Sequence, residues 1–405
     1  LPLSDQGADQ ARITAQRLAT FSLEATYSSP LQRAASTAQI IAAAYGQAPE
    51  LVPGLSSMSY GDWAGQTDKE LNKLWPDLYR RWQEDPFRVR APGGESLTDL
   101  RSRAIAALRD ILSSHRQGTT IALVTHQAVT RTLVSTLTGM PDNAWLRFRQ
   151  GLCNLTCFDY DPKRERFSLV TLNDTCHLDS SLPSDRAGGT RLILVRHGQT
   201  AWNVGAGPER FRGRIDLSLN ETGQSQAHSV AARLQDEPLT ATYCSPLLRA
   251  QQTISPLAEA MGLTAQPLAG LLDIDYGRFQ GLTHAEAAAR YPQEYAAWQT
   301  EPCQVSFPDG ESLSIIQDRL VSLLNELRTR HSGQTIALVG HQIVNKVLAC
   351  TLLGLDLDQI WRIGQDTASI SVLQERKGSW YTLCLNDTCH LAGCGLHPAT
   401  GLSHR

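Results

Sequence analysis

Five residues between positions 196 and 341 are of types that together could transfer a phosphoryl group. Guanidinium groups bind phosphate oxygens through paired hydrogen bonds and stay charged at all physiological pH values. An imidazole can act as a nucleophile, and a carboxyl group can protonate a leaving oxygen and then activate water. Cations around the phosphorus would stabilise the charge that develops during transfer. The residues that carry these groups are Arg196, His197, Arg249, Asp273 and His341.

Short apolar runs precede these residues and predict buried strands. The runs are Arg191–Val195, Thr240–Cys244 and Thr335–Val339. A helical pattern of leucines and isoleucines follows Ser312, which is a predicted N-cap residue. Strands that alternate with helices are typical of an α/β domain with a mostly parallel sheet.

The order of these elements predicts that the chemical groups meet in one pocket. Arg196 and His197 directly follow the first strand. Arg249 lies just past the second strand, and His341 follows the third after a single glycine. The carboxyl ends of parallel strands share one edge of a sheet, where ligands bind. The acid could be Asp273 or Asp275, which lie two positions apart. The groups expected to converge with it are Arg196, His197, Arg249 and His341.

The chain contains an internal repeat with a period the size of a domain. "SPLLRAQQT" at Ser245 echoes "SPLQRAAST" at Ser29, an offset of 245 − 29 = 216 positions. The ending "LNDTCHL" occurs at Leu172 and again at Leu385, an offset of 385 − 172 = 213 positions. Landmarks at nearly constant spacing indicate two tandem copies of one fold.

The repeat predicts the division of the 405 residues into domains. We expect a first domain at 1–178, a polar linker at 179–190, a second domain at 191–391 and a tail at 392–405. The first copy has no counterpart of "RLILVRHG", because Leu1 falls opposite a residue beyond it. We therefore expect the chain to begin inside a first domain that lacks its N-terminal strand.

Composition narrows the classes of partner. The net charge is −3 with no block of lysine or arginine, which argues against nucleic-acid binding. No apolar run approaches the roughly 20 residues of a membrane-spanning helix. Nine cysteines, an odd number, fit free thiols in a reducing compartment. These features predict a cytoplasmic protein, although a targeting segment could have preceded the missing strand.

One cluster has a weak resemblance to a metal site. It comprises Cys389, His390, Cys394 and His397. The pair Cys389 and His390 has a counterpart in the first copy, but no second pair follows it there. A structural or exposed role is therefore the better interpretation of the cluster. We expect no metal and no cofactor.

The motifs of the second copy resemble a known family. "LVRHGQTAWN", "LSLNETGQSQA", "SPLLRAQQT", "LLDIDYGRFQGLT", "FPDGESL" and "LVGHQ" occur in the order found in the histidine phosphatase superfamily, in its phosphoglycerate-mutase-like branch. The resemblance implies two tandem three-layer αβα sandwich domains and a metal-free phosphohistidine mechanism. It makes His197 the nucleophile and Asp273 the proton donor and acceptor. The residues implied to hold the phosphoryl group are Arg196, Asn203, Arg249 and His341. The resemblance also makes His341 a catalytic residue.

The second copy departs from the family pattern at two places. Asp273 stands where this branch usually has glutamate, so its carboxyl group lies about one C–C bond further back. The segment 204–212 is longer than usual and places Arg212 where a glutamine is common. The second departure is expected to reshape the loop that faces the substrate.

The first copy departs further from the pattern. Arg33 matches Arg249, and His126 matches His341. Ser57, however, stands opposite Asp273. A serine cannot relay a proton as a carboxylate does. We therefore expect the first domain to be an inactive partner in intramolecular contact with the second.

The resemblance implies a phosphatase rather than a mutase. Only 341 − 273 = 68 positions separate the predicted acid from His341, whereas cofactor-dependent mutases have a longer insertion there. The tandem arrangement and the repeated ending resemble the 2-carboxy-D-arabinitol-1-phosphatase-like members of the superfamily. We predict hydrolysis of a small phosphorylated metabolite. A phosphoglycerate-type mutase and a pseudoenzyme that only binds a phosphorylated ligand are the alternatives.

Overall fold

A computed structural model describes residues 1–179, 181–185, 188–203 and 209–391. The tail predicted at 392–405 lies outside these ranges, as do parts of the linker predicted at 179–190. Within them, no helix is both long enough and apolar enough to span a bilayer. Packing divides the chain into two compact units. The first unit comprises Leu1–Leu146, Gln150–Asn154 and Asp161–Arg166, and the second comprises Arg147–Arg149, Leu155–Tyr160 and the chain from Phe167 onward.

The first unit contains a small parallel sheet with helices around it. Its strands are arranged in the order β2-β1-β3, and β1 pairs in parallel with both neighbours. Its elements are α1 (Asp5–Leu18), β1 (Leu23–Ser28), α2 (Gln32–Ala43), β2 (Glu50–Leu51), α3 (Asp68–Leu74), α4 (Pro76–Glu84), α5 (Leu97–Ser113), β3 (Thr120–Val124) and α6 (Gln127–Thr138).

The second unit is built on one eight-stranded sheet. Its elements are β4 (Leu155–Asp161), β5 (Arg166–Asp174), β6 (Arg191–Arg196), α7 (Glu221–Leu234), β7 (Leu239–Cys244), α8 (Leu248–Met261), β8 (Ala265–Pro267), α9 (His284–Arg290), α10 (Pro292–Thr300), α11 (Leu313–Arg330), β9 (Thr335–Gly340), α12 (Gln342–Leu353), β10 (Ile370–Arg376) and β11 (Ser379–Asp387). The strand order is β4-β5-β11-β10-β6-β9-β7-β8.

The predicted strands of the second copy are confirmed and form the parallel part of this sheet. β6, β9, β7 and β8 run in the same direction, with Val195 opposite Val339 and Val339 opposite Cys244. β10 and β11 extend the sheet in antiparallel fashion. The carboxyl ends of β6, β9 and β7 therefore share an edge, as the alternation of strands and helices predicts.

The core explains why these strands read as continuous apolar runs. Ile193 and Val195 of β6 pack in one cluster with Val230 of α7 and Ile254 of α8. α12 contacts β6 and β11, and all six residues of β6 are buried. A strand buried on both faces needs apolar side chains at successive positions, because neither face is exposed to water.

The predicted helix after Ser312 is α11. The Ser312 side chain accepts a hydrogen bond from the backbone N–H of Ile315, as expected of an N-cap residue. The buried face of α11 comprises Leu313, Ile316, Leu320, Leu323, Leu324 and Leu327.

The last two strands of the first repeat lie in the sheet of the second unit. β4 and β5 continue that sheet beyond β11, and Leu172 of β5 pairs with Leu385 of β11. In the described ranges, the three-stranded sheet of the first unit has no counterpart of β6. The domain limits predicted at residues 178 and 191 follow the sequence repeat, whereas the compact units follow the packing of the strands.

Candidate active site

The two histidines of the candidate site are neighbours because the strands before them pair. Arg196 at the end of β6 lies opposite Gly340 at the end of β9, and the backbone N–H of His197 donates to the carbonyl of Gly340 at 3.0 Å. His341 is the N-cap residue of α12. The two imidazole rings lie 5.2 Å apart between centroids, and both are buried.

The backbone around Gly198 fixes the proton of His197. Nδ1 of His197 lies 2.7 Å from the carbonyl oxygen of Gly198. Because a carbonyl only accepts, Nδ1 carries the proton and Nε2 keeps its lone pair. A side chain at position 198 would bring a Cβ within 2.7 Å of the carbonyl oxygen of Gly223, so the Arg-His-Gly sequence needs its glycine where α7 approaches closely.

Arg249 and Asp273 form a buried pair beside the histidines. The guanidinium of Arg249, the second residue of α8, donates to the carbonyls of Gly213 at 2.7 Å and Ile215 at 2.9 Å. It also donates to Oδ2 of Asp273 at 3.1 Å. The same Oδ2 lies 3.7 Å from Nδ1 of His341.

Burial and nearby cations determine the charge states of the site. Burial lowers the pKa of His197 and of His341 well below the ordinary value, and the charge of Arg249 lowers both further. Both histidines are therefore neutral, so the approach of His341 to Asp273 is not an ion pair. Burial raises the pKa of Asp273, although Arg249 and Arg212 oppose this.

Arg196 is held by a loop that the sequence analysis did not connect with the site. Its guanidinium donates to the carbonyl of Gln365, and burial lowers the pKa of Arg196 to about 10. The neighbouring Asp366 exchanges two hydrogen bonds with the side chain of Asn386, at 2.7 and 2.8 Å. Asn386 belongs to the repeated "NDTCHL" ending, so one role of that motif is to hold the loop under Arg196.

A small, partly open cavity lies beside these residues. It is a mainly polar cavity, lined by His197, Glu209, Arg210, Phe211, Arg212, Gly213, Asp273, Tyr276, His284, Gln342 and Ile343. Arg212 is 8% exposed and donates to the carbonyl of Trp202 at 2.9 Å. In the sequence, Arg212 stands out only as a departure from the family pattern. Its place in the wall next to His197 and Asp273 makes it a third arginine of the site.

Neither Asn203 nor Asp275 is among the described residues that line the cavity. Among the described residues, Asn203 makes hydrogen bonds only to Thr200, whose N–H and hydroxyl donate to its Oδ1 at 2.9 and 2.8 Å. Residues 204–208 of the long segment after it lie outside the described ranges. The Asp275 carboxylate accepts from the N–H of Gly277 at 2.9 Å and lies 3.8 Å from Arg214. Of the two predicted acids, only Asp273 lines the cavity.

The equivalent positions of the first unit are arranged differently. Nε2 of the half-buried His126 lies 2.8 Å from the hydroxyl of Ser29. Burial, followed by the charge of Arg33, lowers the pKa of His126 to about 4. Arg33 itself is exposed, and the carbonyl of Ser57 accepts from Arg103 at 3.1 Å.

The arrangement in the second unit has the parts required for phosphoryl transfer. It combines a neutral imidazole with a free Nε2, a carboxyl group with a raised pKa and several buried guanidinium groups. In the described residues, the two groups of potential metal ligands lie elsewhere, around Cys176 and around Cys303.

Comparisons with known proteins agree with this chemistry. The family described as Histidine phosphatase superfamily (branch 1) matches residues 1–175 and again 192–388. Phosphoserine phosphatase 1 of Hydrogenobacter thermophilus is 39% identical over 202 residues, which are 50% of this chain and 94% of that protein. The metal-independent phosphoserine phosphatase of Arabidopsis thaliana is 30% identical over 210 residues, which are 51% of this chain and 85% of that protein.

A third relative matches both repeats. The probable 2-carboxy-D-arabinitol-1-phosphatase of Arabidopsis thaliana is 25% identical over 410 residues, which cover 96% of this chain and 82% of that protein. The similarity to this relative therefore extends over both repeats of the chain.

Proposed function

Because this chain belongs to the histidine phosphatase superfamily (branch 1), we propose that it hydrolyses a small phosphomonoester through a phosphohistidine formed on His197. Phosphomonoesterase activity itself is supported by relatives that are named phosphatases and align over most of their own length. The geometry of the second unit supports the roles proposed for His197, Asp273 and the residues around them.

The observation that carries the proposal is the hydrogen bond between Nδ1 of His197 and the Gly198 carbonyl. It leaves Nε2 as the nucleophilic atom of an imidazole that is neutral, because burial and the neighbouring arginines disfavour protonation. The same arginines would hold the phosphate dianion. The positive charge of these arginines therefore has two effects. It keeps the nucleophilic imidazole unprotonated, and it attracts the phosphate group that the imidazole attacks.

In the first step, Nε2 of His197 attacks phosphorus and the bond from phosphorus to the ester oxygen breaks. The leaving oxygen takes a proton from the carboxyl group of Asp273, which becomes a carboxylate. In the second step, water attacks the phosphohistidine while Asp273 takes one of its protons. Inorganic phosphate leaves, and His197 and Asp273 return to their starting states.

Asp273 suits this role because its environment permits both protonation states. Burial favours the neutral acid, and the Arg249 guanidinium at 3.1 Å stabilises the carboxylate. His341, 3.7 Å from the same carboxylate oxygen, would help hold the phosphoryl group from the other side. Arg196 and Arg249 would neutralise its charge. Asn203 is retained as a phosphoryl-binding residue from the family pattern.

The substrate is proposed to be a small organic phosphate. The cavity beside His197 is small and mainly polar, which suits a small phosphorylated metabolite. The relatives are named for phosphoserine and for a phosphorylated carboxyarabinitol, which are both small phosphomonoesters. We also propose a reducing, cytoplasmic location, which is supported by the eight free cysteines of the described residues.

The decisive experiment is hydrolysis of p-nitrophenyl phosphate in the presence of EDTA. Wild type should release phosphate and His197→Ala should not. His331→Ala is the matched control, because His331 is also buried but is hydrogen-bonded to Tyr243 and does not line the cavity. Rapid quenching with a labelled substrate should trap an acid-labile phosphoryl group in wild type. Equal turnover by wild type and His197→Ala would refute the proposal, and transfer to a second phosphate ester with little release to water would indicate a mutase.

A further inference from the structure

The repeated "NDTCHL" endings bring two cysteines of distant sequence together. Leu172 and Leu385 pair across β5 and β11. Asn173 and Asn386, the next residues, both have left-handed backbones, with φ of 57° and 56°. The backbone therefore bends at an equivalent point in β5 and in β11, one residue beyond the paired leucines.

After these bends, Cys176 and Cys389 face each other. Their sulfur atoms and a carboxylate oxygen of Asp387 all lie within 4.8 Å of one another. Both cysteines are free thiols and are half-buried, so a small reagent can reach them. Each cysteine N–H donates to an aspartate two positions earlier at 2.9 Å, which fixes the two backbones in matching turns.

The charges around the pair differ between its two members. Arg233 of α7 lies 3.6 Å from the Asp387 carboxylate. Burial lowers the pKa of Arg233, but the nearby Asp387, Cys389 and Cys176 outweigh this effect, so the pKa of Arg233 is raised. A hydrogen bond to Cys389, together with burial, raises the pKa of Cys176. Arg233 also makes a side-chain hydrogen bond to Cys389, so a guanidinium lies beside that sulfur.

We propose that Cys176 and Cys389 form an oxidisable dithiol that closes to a disulfide by exchange with a low-molecular-weight disulfide. The Cys389 thiolate attacks one sulfur of the reagent, forms a mixed disulfide and releases one thiolate. Cys176 then loses its proton to solvent and attacks Sγ of Cys389, which expels the second thiolate. The protein loses two electrons, and the reagent is reduced to two thiols.

A disulfide fits this cluster better than a metal ion does. Among the described residues, three donor atoms converge, whereas a structural zinc site has four protein ligands. The one carboxylate among them lies beside Arg233, whose positive charge would repel a cation. The adjacent His390 points its Nε2 to the carbonyl of Ala368 at 3.0 Å and not to the sulfur atoms.

The test exposes the full native chain to oxidised glutathione, blocks the remaining thiols and maps peptides without reduction. Wild type should yield a linked peptide that joins Cys176 to Cys389, with loss of both thiols. Cys176→Ser and Cys389→Ser should yield no such link, and the remaining cysteine should carry a glutathione adduct. Alanine variants and thermal melts check that these changes leave the fold intact.

Cys303→Ser is the matched control. Cys303 is also half-buried, but its sulfur contacts the carboxylate of Asp356 and not a second thiol, so the link should form as in wild type. The proposal is overturned if glutathione modifies other cysteines of wild type while the link is absent. It is also overturned if Cys389 joins Cys394 instead, or if zinc copurifies in a ratio that Cys176→Ser abolishes.

Discussion

Asp273 accepts a hydrogen bond from Arg249 at 3.1 Å in surroundings where their side chains are 9% and 0% exposed. Burial and the guanidinium act on the carboxyl group in opposite directions, and burial prevails, so the pKa of Asp273 is raised. An aspartate with a raised pKa can donate a proton at a pH where an exposed aspartate is already ionised. The buried pair therefore tunes an acid and does more than bind a phosphate.

Replacing Asp273 should affect the rate and the pH profile together. We expect Asp273→Asn to lower kcat by about 10²- to 10⁴-fold, because it can neither give nor take the proton. In wild type, kcat/KM should fall as pH rises through the raised pKa of Asp273, since the first step needs the acid protonated. Profiles of both proteins on p-nitrophenyl phosphate measure this.

Asp273→Glu is the matched control, since it keeps the acid and restores the residue usual in this branch of the superfamily. It should retain the alkaline limb and stay within about tenfold of wild-type kcat. The same alkaline limb in Asp273→Asn would assign the titration to another group.

The two buried histidines should make the protein sensitive to acid. In the unfolded chain a histidine binds a proton below about pH 6.5, whereas His197 and His341 resist protonation in the fold. Below that pH the unfolded state binds more protons, so stability falls as pH falls, by about 1.4 kcal/mol per pH unit for each histidine until its folded pKa is reached. Asp273 acts in the opposite sense, because its raised pKa lets the fold bind a proton more readily than the unfolded chain.

Urea unfolding at pH 7.5 and 5.5 tests this account. His341→Asn should lose less stability between the two pH values than wild type does, because one of the resisting groups is gone. His228→Asn, at an exposed position of α7, should behave as wild type. An unchanged pH dependence in His341→Asn would show that His341 does not contribute.

The sequence was sufficient to predict the centre of the site because strand order determines it. His197 and His341 lie 144 positions apart, yet each follows a buried apolar run, and parallel strands end at one edge. Once β6 and β9 were assigned, the proximity of the two rings followed from sheet geometry. The glycine after His197 was recognised by motif alone, and the close approach of Gly223 gives its physical reason.

Other parts depend on packing between distant segments and could not be predicted. Arg212 lies on a long segment without periodicity, so no local pattern placed its side chain in the cavity wall. The meeting of Cys176 and Cys389 depends on the pairing of β5 with β11. That pairing assigns strands of the first repeat to the sheet of the second unit, and a repeat read from sequence alone gives no information about it.

Arg212 should contribute to phosphate binding. We expect Arg212→Gln to raise KM about 10- to 100-fold, because a hydrogen bond to a charged group contributes about 1.5–3 kcal/mol. Arg214→Gln is the matched control, since Arg214 donates to Glu311 at 2.9 Å and does not line the cavity. It should lower stability and leave KM near the wild-type value. Steady-state kinetics with inorganic phosphate as a competing ligand measure both, and equal KM values for the two variants would remove Arg212 from the site.

The first unit should contribute no catalytic residue. Its histidine is bonded to Ser29, its arginine is exposed, and Ser57 stands where the second unit has an acid. We expect Arg33→Ala combined with His126→Ala to leave kcat and KM within about twofold of wild type, since surface and half-buried changes away from a site act mainly on stability.

The matched comparison is Arg249→Ala combined with His341→Ala, at the equivalent positions of the second unit. That variant should lose about 10³-fold or more in kcat/KM, because it removes a buried cation and a buried imidazole that lie beside Asp273 and His197. Circular dichroism should show both proteins folded. A loss of similar size in the variant that carries Arg33→Ala and His126→Ala would place part of the reaction in the first unit.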